Sequence, residues 1–422
     1  MKYWPTALGL IGIAACVLAS RTSPPPVRWQ LVVGGGVNGY LSPCGCTFPM
    51  SGGIRRWASA IRALGDARRT VVVQNGGLWS GDDRQSILKA EALATSLAQV
   101  RCAALNLTSR DAQLGQTELL QIEGLAGDSF VSASVSGMKY LEVASSRRSG
   151  PFLIGGVVWN AGSLSPLGGS IRDPFTAAQS IVWAARRQHL QSVVLLSGDA
   201  EAAALLAKTV PGIGLIVYER AGNPLTSTTQ VGSTTLVTPG EHGKFLVAVG
   251  YSAGRFSGYR QVPLGPEVHD DPAVSAVYRS YLATMDREDL LGSVRRSKTG
   301  RFAGSEKCGS CHVESLQKWH GSRHATALKS LEDQGHGRDP ECVSCHVTGL
   351  GSTEGFRTRL STSLLANVGC ESCHGPGASH AEDPKVAHMS KIGPKSCAQC
   401  HTPENSPNFD FLTYWGRVQH FK

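Results

Sequence analysis

The sequence predicts two domains of different class: an α/β domain over residues 27–266, and a small, mainly helical and loop domain over residues 301–422. Three observations carry this. Between residues 29 and 265, short β-branched apolar runs alternate with stretches of helical periodicity, as buried strands and their covering helices do. At 422 residues the chain exceeds what one hydrophobic core usually organises. About a third of residues 301–422 are hydrophobic, against 41% of the whole chain, so the second domain would struggle to build a core from its side chains alone.

Taken in order, "MKYWPTALGLIGIAACVLAS" has a lysine, an apolar run too short for a comfortable membrane span and then small residues, the pattern of an export signal within residues 1–26. Within it "IAAC" resembles the lipobox of bacterial lipoproteins, which would make Cys16 the lipidated residue and anchor the protein to a membrane. A plain cleaved signal or an uncleaved anchor is the alternative. "SRTSPPPVR" reads as a short stiff tether. "WQLVV", "TVVVQN", "SVVLL" and "GLIVY" read as buried strands, with "GGIRRWASAIRALG", "SILKAEALATSLAQV" and "EAAALLAKTV" as the helices between them. "TTLVTPGEHGKFLVAVGYSAGRFSGYRQVPL" adds antiparallel strands at the end of the domain. Residues 267–300 form a connecting helix and linker, in which Val274, Val277, Tyr278, Tyr281, Leu282 and Met285 share one helical face.

Cysteine usage is the most informative count. Of twelve cysteines, eight fall after residue 307 in four Cys-x-x-Cys-His units: Cys308/Cys311, Cys342/Cys345, Cys370/Cys373 and Cys397/Cys400. Structural zinc or a disulfide framework would use such pairs, but neither requires a histidine after every one. Covalent c-type haem does: the two thiols add to the haem vinyl groups, and the adjacent imidazole reaches the iron. Four haems would supply the apolar surface that the segment lacks. Their attachment takes place outside the bacterial cytoplasm, in keeping with the N-terminal signal, and implies a periplasmic or envelope location.

Upstream, "PCGC" places Cys44 and Cys46 too close for an easy mutual disulfide; either could pair with Cys102 or act as a thiolate ligand. His189, His242 and His269 read as ordinary surface or core histidines.

"NGYLSPCGC", "GGIRR", "VVVQNGG", "ALNLTSRD", "LLSGDAE" and "TPGEHGKFL", in this order, resemble the 5′-nucleotidase-like, calcineurin-type metallophosphoesterases. The resemblance implies a four-layer αββα sandwich with two metal ions held by Asp, His and Asn at strand ends. The ligand positions of that family fall here on Gly36, Asn38, Gly77, Ser109 and Arg110, and near Gly198 and Arg220. Two-metal hydrolysis needs several anionic or imidazole ligands holding the ions about 4 Å apart. Asn38 and Asp111 do not suffice, so the expected domain is a metallophosphoesterase-like scaffold without phosphoesterase activity.

"SEKCGSCHVESLQKWHGSRHATAL", "DPECVSCHVTG", "NVGCESCHGPGASH" and "CAQCHTPENSPNFDFLTYWGRVQH" resemble the cytochrome c-554 family of multihaem proteins, which carry electrons between redox partners outside the cytoplasm. The motifs make His312, His346, His374 and His401 the proximal iron ligands. His324, His380 and His420 occupy recurrent histidine positions of the family and are expected on the opposite iron faces. His320, His336 and His388 are further candidates. "HVESLQKWHGSRHATAL" reads as one helix, which would set His312 and His324 about 18 Å apart at 1.5 Å per residue, so His324 should serve a neighbouring haem. In "GCESCHGPGASH" the two glycines and the proline favour a compact turn, so His380 should also leave the haem of His374 for the next one.

The expected function is therefore that of an exported tetrahaem carrier relaying single electrons between a donor and an acceptor protein. Two other classes remain open: a multihaem oxidoreductase acting on a small nitrogen or oxygen species at one open iron face, and a ligand- or partner-binding protein using the α/β domain. Nearly all of the net charge of +9 lies upstream of residue 301, as a diffuse excess without a basic tract, which argues against nucleic acid as a partner.

Overall fold

The computed structural model describes residues 29–43, 50–403 and 405–420. The export signal, the tether, Cys16, Cys44 and Cys46 lie outside the described residues. Among those described, no helix is long and apolar enough to cross a membrane.

Two six-stranded sheets form the N-terminal part. The first runs in the order Arg255–Pro263, Phe245–Ser252, Trp29–Gly35, Thr70–Asn75, Ala104–Asn106, Phe130–Val131. The second runs Thr229–Val231, Thr234–Val237, Leu215–Tyr218, Gln191–Ser197, Phe152–Val158, Ser146–Ser149. Period-two alternation builds four layers from these strands. Leu31, Val33, Val71 and Val73 face Val193, Leu195, Leu215 and Val217 between the sheets. Val32 and Val72 face outward onto a helical layer with Ile54, Trp57 and Leu93, while Val194 and Leu196 meet Ile181 and Leu206 on the other side. The four-layer α/β sandwich expected from the sequence is present.

Three details differ from the sequence reading. Phe152–Val158 is a central strand, and Pro174–Arg187 is the helix covering it; neither stood out, because Gly155 and Gly156 dilute the β signal. Glycine is needed there: a Cβ on Gly155 would collide with the Ile181 side chain, and one on Gly156 with the Val131 carbonyl. Thr234–Val237 pairs in parallel with Leu215–Tyr218 in the second sheet rather than joining the final antiparallel hairpin of the first. The expected helix through His324 is broken: Val313–His320 stops, Ser322 turns back on the Trp319 carbonyl, and a 3-10 turn Arg323–Thr326 precedes Ala327–Glu332. Trp319 pins the break through its indole N–H to the Val368 carbonyl at 2.8 Å.

The helix Pro272–Arg287 lays the expected face, from Val274 to Met285, on the outer helices of the first sheet. It also touches the C-terminal part. The Gln85 amide donates to Tyr281 Oη at 3.0 Å and to the Asp339 carboxylate at 2.7 Å, and all three residues are buried. Lys89 pairs with Glu341, and Arg338 with Asp286 and Asp289.

The C-terminal part has one small apolar cluster of its own, around Leu328, Leu331, Val343, Val347, Leu350, Phe356 and Leu365. The helices Val313–His320, Pro394–Cys397 and Phe411–Val418 contain no buried residue. Among the described residues, side chains of the C-terminal part thus gather into an apolar cluster around the second motif, and the low hydrophobic content shows in the rest.

Candidate functional site

Each Cys-x-x-Cys-His unit is built on or beside one short helical turn: Ser305–Gly309, Pro340–His346, Cys370–His374 and Pro394–Cys397. A three-residue spacing on a helix sets both thiols on one side. Proline at the first position starts the second and fourth turns, and the Asp339 carboxylate caps the second by accepting from Glu341 N at 3.1 Å.

Three histidine pairs converge from separate segments. The rings of His312 and His380 lie 6.4 Å apart with planes 19° from parallel. His324 and His401 lie 6.3 Å apart, and His374 and His420 5.9 Å. One iron between two imidazoles needs two bonds of about 2 Å, as for other imidazole–metal bonds, plus roughly 1 Å from each nitrogen to its ring centre, or about 6 Å in all. The three separations match that span.

Ring orientation points the same way. Nδ1 of His346, His374, His380 and His420 lies 2.7, 3.0, 2.7 and 3.1 Å from the carbonyls of Ala327, Ser390, Ala387 and Val418. A carbonyl only accepts, so Nδ1 carries the proton and Nε2 keeps the lone pair that a metal needs. Nδ1 of His401 similarly meets Ser406 Oγ at 2.9 Å. Burial lowers the pKa of His324, with His401 and His346 adding to the effect, which keeps its imidazole neutral and able to ligate.

Three of the candidates lie elsewhere than opposite a motif histidine. His320 is exposed and pairs through Nε2 with Glu306 at 3.3 Å. His388 is exposed on the loop whose Ala387 and Ser390 carbonyls meet His380 and His374, and its own ring is in none of the three facing pairs. His336 lies tilted against Tyr278, with ring centres 6.0 Å apart, and forms with Asp339 and Cys342 a cluster whose ligand atoms lie within 4.8 Å of one another. Asp339 is already occupied as helix cap and as acceptor from Gln85, so that cluster reads as part of the interdomain contact. Among the described residues, no ring contact joins His346 to a second histidine.

The thiol of Cys308 lies beside that of Cys370 closely enough for each to perturb the other's ionisation, and Cys345 and Cys400 are related in the same way. The first attachment motif therefore lies beside the third, and the second beside the fourth. Sequence spacing gave no sign of these neighbours, nor of the buried Glu371 inside the third motif and the Gln85–Asp339 contact.

At the strand ends of the α/β part, the positions matching metal ligands hold Gly36, Asn38, Gly77, Ser109, Arg110, Gly198 and Arg220. Gly36 and Gly77 both have positive φ, and a Cβ on Gly77 would lie 3.1 Å from Gly36 N and 3.3 Å from Asn38 Oδ1, so backbone has closed into the space of a ligand side chain. The fully buried Asp111 carboxylate is turned inward, accepting from Leu78 N at 3.1 Å, Trp79 N at 3.3 Å and Thr108 Oγ1 at 2.6 Å. Burial raises its pKa and these bonds oppose the rise. This donor set does not fit a pair of metal ions. Cys102 is buried, and desolvation pushes its thiol up to about 12, an inert rather than a reactive state.

Comparison with known proteins divides the chain in the same way. The family described as cytochrome c554 and c-prime matches residues 307–375. Cytochrome c-554 of Nitrosomonas europaea is 36% identical over 97 residues, covering 19% of this chain and 41% of that protein, so the chain spans about two fifths of this relative's length. Among solved structures, a 5′-nucleotidase precursor of Thermus thermophilus superposes with a TM-score of 0.53 at 17% identity, covering 73% of this chain and 68% of that one. The sulfate thiohydrolase SoxB of Thermus thermophilus superposes with a TM-score of 0.51 at 16% identity, covering 69% of each chain. At such identities the likeness is one of fold alone. Residues 307–375 thus match the cytochrome c554 family, and they follow an α/β part that shares the fold of the 5′-nucleotidase structure.

Proposed function

We propose that the chain is an exported tetrahaem cytochrome that relays electrons between a donor and an acceptor protein in the bacterial periplasm or envelope, with Cys16 as a lipid anchor. In this reading Cys308/Cys311, Cys342/Cys345, Cys370/Cys373 and Cys397/Cys400 carry the four haems. His312 with His380, His374 with His420, and His401 with His324 hold three of the irons, and His346 holds the fourth. The observation that carries the reading is the set of facing imidazole pairs, each with a motif histidine on one side. When bound, a haem with both axial positions filled exchanges single electrons and leaves no place for a substrate. The chain's own part is to orient each ring through its Nδ1 contact and to keep the four sites within one small domain, the first against the third and the second against the fourth. The α/β part serves as a scaffold, because the donors for two-metal hydrolysis are missing.

Haem quantitation on the full chain purified from a haem-attaching bacterial host tests this: four covalent haems per chain are expected, and absence of covalent haem overturns it. A second reading is favoured by His346, which makes no ring contact with another histidine among the described residues: one iron keeps an open face for a small nitrogen or oxygen species. Electron paramagnetic resonance should then show one high-spin iron, and turnover of nitrite, hydroxylamine or nitric oxide would make the protein an enzyme rather than a carrier. In either case no hydrolysis of nucleotides above blank is expected with added Mn²⁺ or Zn²⁺.

A further inference from the structure

The third motif carries an acidic residue between its cysteines, which haem attachment does not require. Glu371 is only 4% exposed. Its Oε1 accepts hydrogen bonds from Ala303 N at 2.8 Å and Gly377 N at 2.7 Å, and its Oε2 accepts from Gly304 N at 2.7 Å. Gly304, with φ of 84°, caps the turn Ser305–Gly309, which bears Cys308; Gly377 caps the turn Ala378–Glu382, which bears His380. His380 is the ring that faces His312. Both sides of the first haem site therefore start from backbone N–H groups gathered on one carboxylate, and that carboxylate belongs to the third motif.

The joint is reciprocal and tight. Ser305 Oγ accepts from Cys370 N at 3.1 Å, so each of the two attachment turns satisfies an N–H of the other's start. A Cβ on Gly377 would lie 3.1 Å from Glu371 Oε1, so a side chain there would press on the carboxylate. The two sides also meet through Ala378 N on the Arg301 carbonyl at 3.1 Å and the exposed Arg301–Glu382 pair, the kind of surface pair that contributes little.

We infer that Glu371 is a positioning residue for the first haem site: its carboxylate fixes the helix of Cys308 relative to the helix of His380 and so keeps His380 on the iron that His312 ligates. The inference rests on the haem reading above. Three N–H donors need acceptor oxygens only, and a glutamine offers one oxygen plus an NH₂ that would face a backbone N–H.

The test uses the full haem-loaded chain, with His380→Ala as the reference for a lost ligand. Glu371→Gln should keep four haems by the pyridine haemochrome assay. It should also show one more high-spin iron per chain by electron paramagnetic resonance and bind one more equivalent of carbon monoxide when reduced, while Glu371→Asp should lie between it and the unsubstituted protein. Four haems with unchanged spin state and carbon monoxide stoichiometry overturn the inference. If haem is lost instead, peptide mass mapping decides: loss at Cys308 and Cys311 is what the bridge requires, whereas loss confined to Cys370 and Cys373, or spread over all motifs, overturns it. A chain that carries no haem before any substitution defeats the functional reading itself, a separate result.

Discussion

Asp271 shows what one well-placed carboxylate does in this fold. It caps the connecting helix by accepting from Val274 N at 3.0 Å, and it pairs with Arg62 on the α/β part. Burial raises its pKa, but the Val274 N–H and the Arg62 guanidinium outweigh burial and hold the carboxyl below the usual range. A depressed folded pKa means that the stabilisation is present above the unfolded value of about 3.9 and is lost as pH falls through the lower, folded value. Asp271→Ala should therefore cost about 1–2 kcal/mol in urea unfolding at pH 7, with the difference shrinking below about pH 4. Asp111 acts differently, because its oxygens are committed to Leu78 N, Trp79 N and Thr108. Asp111→Ala should leave several buried N–H groups unpaired and lower stability by about 2–4 kcal/mol, read from the thermal unfolding transition.

Among the elements, the short turns of the C-terminal part were legible as attachment motifs from spacing alone, because Cys-x-x-Cys-His is a local constraint. Which histidine faces which was not legible. The glycines and proline of its loop suggested the next motif for His380, but its ring faces His312, far earlier in the chain. His324 sits beyond a break at Gly321 and Ser322 that helical periodicity did not show, because the break is held by Trp319 bonding to Val368, a contact from another segment. Substitution can separate the paired histidines from the unpaired ones. His420→Ala should open one iron and add about one equivalent of bound carbon monoxide per reduced chain, whereas His388→Ala and His320→Ala should add none.

At the scale of the molecule, the two parts are joined by a buried polar contact rather than by a tether alone. Gln85 of the α/β part bonds both Tyr281 of the connecting helix and Asp339, the cap of the second attachment turn. Gln85→Leu should leave the buried Tyr281 Oη without that donor and take one of two hydrogen bonds from Asp339 Oδ1, which keeps Glu341 N, at a cost of about 1–3 kcal/mol, seen as a lower transition for the C-terminal part in calorimetry of the full chain. The exposed pairs of Arg338 with Asp286 and Asp289 should matter less, and less again in high salt. What the sequence by itself determined was whatever is local or periodic: the alternation that makes two sheets with opposite faces, the helical face of Pro272–Arg287, and the four Cys-x-x-Cys-His motifs as motifs. Tertiary structure alone decided the histidine pairs, the neighbouring thiols, the bridge at Glu371 and the contact at Gln85. Each joins residues far apart in the chain, and no spacing rule encodes which distant segments the fold will bring within bonding distance.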